Sequence, residues 1–84
     1  MYYYIVYSSV TVATSIRNKF RYDEQRISVV HTPAVISNAG CSYSIKLKSE
    51  SKAMEIIKTS MEYGAKIRGF YRQNDKGIFE KINF

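Results

Sequence analysis

Six consecutive residues near the start of the chain, Tyr2–Tyr7 (YYYIVY), have no polar face. Successive side chains of a strand point to opposite sides. Tyr2, Tyr4 and Val6 therefore share one face, and Tyr3, Ile5 and Tyr7 the other. A strand of this kind must be covered on both sides or lie centrally in its sheet. The segment has neither a positively charged start nor a cleavage-like end, so it reads as a strand and not as a signal peptide. No apolar run approaches the roughly 20 residues that a membrane-spanning helix needs.

The rest of the chain supplies what surrounds that strand. Ser8 and Ser9 offer helix N-caps. Val12, Ala13, Ile16 and Phe20 then recur at helical spacing, which predicts a first helix over about 9–22. Arg26–His31 reads as a second strand, ended by Pro33, which cannot donate to a sheet ladder. Tyr43–Lys48 alternates: Tyr43, Ile45 and Leu47 face one way, Ser44, Lys46 and Lys48 the other. Ser49 caps a second helix, whose buried side is assigned to Ala53, Met54, Ile56, Ile57 and Met61, and Gly64 fits its C-terminal stop. Lys66–Arg72 reads as a fourth strand. Asn74–Gly77 is a turn signal, and 78–84 returns as a fifth strand.

The order β-α-β-β-α-β with an added strand predicts an α+β fold. Its simplest form is the ferredoxin-like antiparallel sheet, with two helices on one face and an extra C-terminal strand. One domain is expected over 1–84, with its core at 2–72 and a β extension at 75–84.

The 84 residues include one Cys, which excludes an internal disulfide. The core must come from apolar packing, for which eight Tyr and four Phe are ample. An unpaired Cys suits a reducing cytoplasm better than an oxidising exterior. The net charge of +6 favours acidic partners, although charge spread along a chain also serves solubility.

The stretch His31–Ser44 (HTPAVISNAGCSYS) holds the only His, Pro and Cys. Asn38, Ala39 and Gly40 form a turn before Cys41, and Val35 and Ile36 are assigned to tuck it inward. In the expected topology this loop shares a rim with the start of the first helix and the turn into the fourth strand. Cys41 is then near the N–H groups after Ser8 and Ser9, with Lys66 and Arg68 close by. A helix N-terminus and cations both lower a thiol pKa, which makes Cys41 a candidate nucleophile. Gly40 and Ser42 flank it with small residues. The alternative is a buried cysteine acting as a small hydrophobe. His31 reaches the same rim, so a Cys–His pair is geometrically open to it. No third orienting residue is visible, and an ordinary strand-end histidine is the favoured reading. No metal site is expected: one His and one Cys give two ligands where structural zinc takes four, unless a dimer doubles them. No cofactor is expected either.

The sequence TPAVISNAGCSYSIKL resembles the Se/S carrier protein-like family of small proteins. The resemblance lies in Pro33, Ile36, Ser37 and Cys41: a Pro-x-x-Ile-Ser turn followed closely by a Cys that opens the next strand. The strand KIRGFYR also resembles the family's ending, and the likeness covers about 2–72. Ala34 stands where a basic residue often follows the Pro, and Ser42 where a Gly often follows the Cys. The resemblance implies a sulfur or selenium carrier that accepts the atom on Cys41 as a persulfide and surrenders it. Donor and acceptor proteins would be its partners. Such a relay needs no general base, so a non-enzymatic carrier is favoured over an enzyme.

A rival reading is a small basic module that binds RNA or serves assembly, its cysteine structural. If Ile45, Leu47, Ile67 and Tyr71 face the helices, the open sheet face shows Lys46, Lys48, Arg68, Phe70 and Arg72. Basic residues around a ring resemble a stacking platform. Nucleic acid is the less favoured partner, because the third strand offers no ring on that face. Ile78, Phe79, Ile82 and Phe84 leave room for a homodimer through the C-terminal strand.

Overall fold

A computed structural model describes residues 1–21, 26–37 and 42–84. Its elements are β1 (Tyr2–Tyr7), α1 (Val10–Asn18), β2 (Ser28–His31), a single 3-10 turn at Ala34–Ile36, β3 (Tyr43–Leu47), α2 (Glu50–Glu62), β4 (Ile67–Gln73) and β5 (Phe79–Lys81). The five strands form one sheet in the order β2-β3-β1-β4-β5, and every neighbouring pair is antiparallel. This is the ferredoxin-like order with β5 added at the β4 edge. The strand without a polar face, β1, lies at the centre.

One face of the sheet packs on the helices. Tyr3, Ile5 and Tyr7 join Ile45, Leu47 and Phe70 there, against Ala13 and Ile16 of α1 and Ala53, Ile56 and Ile57 of α2. The other face gathers Tyr4 and Val6 with Ile36 from the 3-10 turn, and Tyr2, Val30, Tyr71 and Phe79 pack around them. Both faces of β1 are therefore covered.

The helices start where the sequence offers caps. The Ser9 Oγ accepts from the Val12 N–H at 3.4 Å, and the Ser49 Oγ from the Lys52 N–H at 3.2 Å. Ser8 is exposed and does not cap α1. Helix α1 ends at Asn18, short of the expected 22, because the chain tightens: Lys19 N–H bonds Ile16 O and Phe20 N–H bonds Arg17 O. Phe20 still packs on the core. Helix α2 ends in a Schellman motif. Gly64 takes φ +74°, its N–H bonds Met61 O, and the Ala65 N–H reaches back to Ser60 O.

Three further expectations are corrected. Met54 and Met61 lie outside the buried side of α2, at 43% and 54% exposure. The buried side of α2 is the narrower strip of Ala53, Ile56, Ile57 and Ser60. Val35 points away from the protein while Ile36 turns in, since one turn of 3-10 helix cannot bury two successive side chains on the same surface. The largest correction concerns β4. Val6 lies opposite Gly69 but Tyr7 opposite Ile67, so Arg68 is an extra residue in the ladder. Beyond this bulge the alternation reverses. Phe70 is fully buried against the helices, Arg72 shares its face and pairs with Glu80 at 2.7 Å, and Tyr71 lies on the opposite face.

Candidate functional site

The sheet registers define one rim. Tyr7 at the end of β1 lies opposite Tyr43 and opposite Ile67, and His31 at the end of β2 lies opposite Tyr43. The chain leaves β1 at Tyr7 and enters α1 two residues after Ser8, so the α1 N-terminus is at the same rim. Lys66 and Arg68 flank Ile67 there, and both are exposed. The loop between β2 and β3 starts and finishes at this rim.

The described part of the loop is tied at its base. The Thr32 N–H donates to Ser42 O at 3.0 Å. The Thr32 and Ser44 hydroxyls lie 2.8 Å apart, with Ser44 fully buried. The Ser37 and Ser42 hydroxyls are at 3.5 Å. Pro33 precedes the 3-10 turn at φ −55°, and its carbonyl accepts from the Ile36 N–H at 3.0 Å. Ile36 then anchors the loop on Tyr4 and Val6. The residues of the Pro-x-x-Ile-Ser turn thus divide the work. Pro33 starts the bend, Ile36 pins it to the sheet, and Ser37 meets Ser42 across the base.

Cys41 and Gly40 lie outside the described residues, as do Asn38 and Ala39. His31 is exposed, and its ring is stacked at a tilt on Tyr43, 4.7 Å between centroids. This contact holds the ring at the end of β2. Among the described residues, no group of three or more His, Asp or Glu side chains could hold a metal ion. Among them also, no helix is long and apolar enough to cross a membrane.

A buried polar chain lies just under the rim. The Ser60 hydroxyl donates to Ile56 O at 2.8 Å, which leaves its oxygen to accept from the Tyr7 hydroxyl at 2.6 Å. Burial pushes the Tyr7 phenol up to about 12, only partly offset by Ser60. Tyr7 is thus a neutral structural donor that ties the end of β1 to α2.

Sequence reasoning missed the composition of the open sheet face. It carries Tyr2, Tyr4, Tyr71 and Phe79, with Lys46, Lys48 and Lys81 around them, in place of Phe70 and Arg72. Gly69 was the signal, because a glycine inside a strand marks a bulge or a close approach.

No curated protein and no solved structure matches the chain. The family model described as "Putative Se/S carrier protein-like" matches residues 2–72. The match takes in β1 through most of β4, together with the loop that bears the single cysteine, and stops before β5. A match over most of the chain, on a fold whose Pro-x-x-Ile-Ser turn is locked at the sheet rim, places this chain in the Se/S carrier protein-like family.

Proposed function

We propose that the chain carries sulfur or selenium on Cys41 between a donor and an acceptor protein. The observation that carries this reading is the family match, which spans the only cysteine of the sequence. The sheet registers support it, since both ends of the Cys41 loop, the start of α1, Lys66 and Arg68 belong to one rim.

The chemistry is a thiol–persulfide exchange. The Cys41 thiolate attacks the outer sulfur of a donor persulfide. A new S–S bond forms to Cys41, and the donor leaves as its thiolate. The acceptor thiolate then attacks the outer sulfur on Cys41 and regenerates the Cys41 thiolate. No electrons are gained or lost overall, so neither an external oxidant nor a cofactor is required. Replacing the outer sulfur by selenium leaves the same balance.

A helix N-terminus and cations near a thiol favour its thiolate, and on this reading the rim supplies both. On this reading the tied base of the loop, at Thr32, Ser42 and Ser44, is the surface on which either partner docks. Labelled sulfur from a cysteine desulfurase acting on cysteine tests the reading. Label on the wild-type chain and none on Cys41→Ser is expected; equal label on both would rule the reading out.

A further inference from the structure

The sheet face turned away from the helices bears rings and cations together. Tyr2 of β1, Tyr71 of β4 and Phe79 of β5 are half-buried there, over the buried Tyr4. The Lys46 ammonium lies 4.2 Å above the Tyr2 ring centre, and that of Lys48 at 5.4 Å from it. Lys81 lies opposite Tyr71 across the β4–β5 ladder. Among the described residues no carboxylate shares this face. Glu80 points to the helix side with Arg72, while Glu50, Glu55 and Glu62 belong to α2. Asp75 sits in the β4–β5 turn, paired with the N-terminal ammonium at 3.1 Å.

We propose that this face binds single-stranded nucleic acid without sequence preference. The inference stands apart from the carrier reading and uses no residue of the cysteine loop. Two ammonium groups drawn to one ring, with no carboxylate of the described residues on their face, form a site for an anion. A phosphate is a stronger partner for each ammonium than a ring face, so a strand that recruits Lys46 and Lys48 also frees Tyr2. Rings on three strands then offer stacking surface to successive bases, which every base can use. An acidic peptide would satisfy the ammonium groups alone and leave the rings without a matching partner. Gly69 contributes to this arrangement. A Cβ built there would lie 2.7 Å from Cε1 of Tyr71, so the phenol occupies the space a side chain at 69 would take.

Fluorescence anisotropy with a labelled single strand of roughly ten mixed-sequence nucleotides provides the test. Binding that weakens steeply between about 50 and 200 mM salt is expected. The Lys46→Gln/Lys48→Gln double variant is expected to bind at least tenfold more weakly at low salt. Its log–log salt slope should be shallower by about 0.7 per lost phosphate contact. Lys58→Gln, which removes a charge on α2, should bind like wild type. Tyr71→Leu should weaken the oligonucleotide severalfold and leave inorganic polyphosphate, which has no bases, unaffected. The chain has no Trp, so quenching of its tyrosine emission by the oligonucleotide, but not by polyphosphate, reads stacking in the wild-type chain. Absent binding at low salt, an equal loss in Lys58→Gln, or emission indifferent to the bases would each overturn the proposal. Polyglutamate bound as tightly as the oligonucleotide would overturn it in favour of an acidic protein surface.

Discussion

The backbone amide of Thr32 donates to the carbonyl of Ser42 at 3.0 Å, closing the loop that carries the single cysteine. The same base is tied by the Thr32 and Ser44 hydroxyls at 2.8 Å, with Ser44 fully buried. Thr32→Val keeps the shape and the backbone bond but leaves the Ser44 hydroxyl without this partner. A loss of about 1–2 kcal/mol is expected, read by denaturant unfolding. The Thr32→Val/Ser44→Ala pair should lose less than the sum of the single losses, because the two hydroxyls act together. Strict additivity would show that they do not.

The Tyr7–Ser60 bond predicts a pH dependence at the alkaline end. The folded chain holds the Tyr7 phenol up to about 12, against 10.0 for an ordinary tyrosine. Between these values the unfolded chain has released a proton that the folded chain keeps. Stability is therefore full below pH 10 and declines as pH rises towards about 12. The loss over this window amounts to about 2 kcal/mol. Ultraviolet titration should show a late-ionising component, and Tyr7→Phe should remove it. Ionisation of every tyrosine near the ordinary value would contradict the buried bond.

Gly64 closes α2 at φ +74°, with nothing within 4 Å of the place a Cβ would occupy. Space is therefore not the constraint; the left-handed backbone is. Gly64→Ala should cost about 1 kcal/mol in thermal or denaturant unfolding. Gly64→Asn should cost less, because asparagine tolerates this conformation better. An alanine without effect would mean that the helix ends some other way.

Gly69→Ala separates stability from binding. The added methyl group meets the far end of a flexible side chain, so Tyr71 can swing aside at little cost to the fold. A stability change under about 1 kcal/mol is expected, with a severalfold loss of oligonucleotide affinity. Full affinity with a displaced Tyr71 would show that its ring position is irrelevant to binding.

Much of this architecture is legible in the sequence where one local rule decides. YYYIVY had to be covered on both sides or central, and it is both; Ser9 and Ser49 are the caps that they read as, and Gly64 stops α2. The failures come where a second rule intervenes. IRGFYR alternates on paper, but the extra Arg68 shifts the register. Ile67 and Phe70, an odd number of positions apart, then share the core face. Met54 and Met61 follow the helical stripe, yet they lie at its exposed margin beside Phe84. The tied loop base was also out of reach, since Thr32 to Ser44 is a pairing of hydroxyls set by strand register and not by any local motif. Of the site itself, the sequence named the loop and its cysteine, and the family match bears out the family.

Intact-chain mass spectrometry, after exposure to a persulfide donor and then to a thiol acceptor, tests the central claim most directly. The account predicts one added sulfur on the wild-type chain, lost again on chasing with the acceptor, and none on Cys41→Ser. A wild-type chain that stays unmodified beside a donor that loads a known carrier, or a sulfur that the acceptor cannot remove, would contradict it.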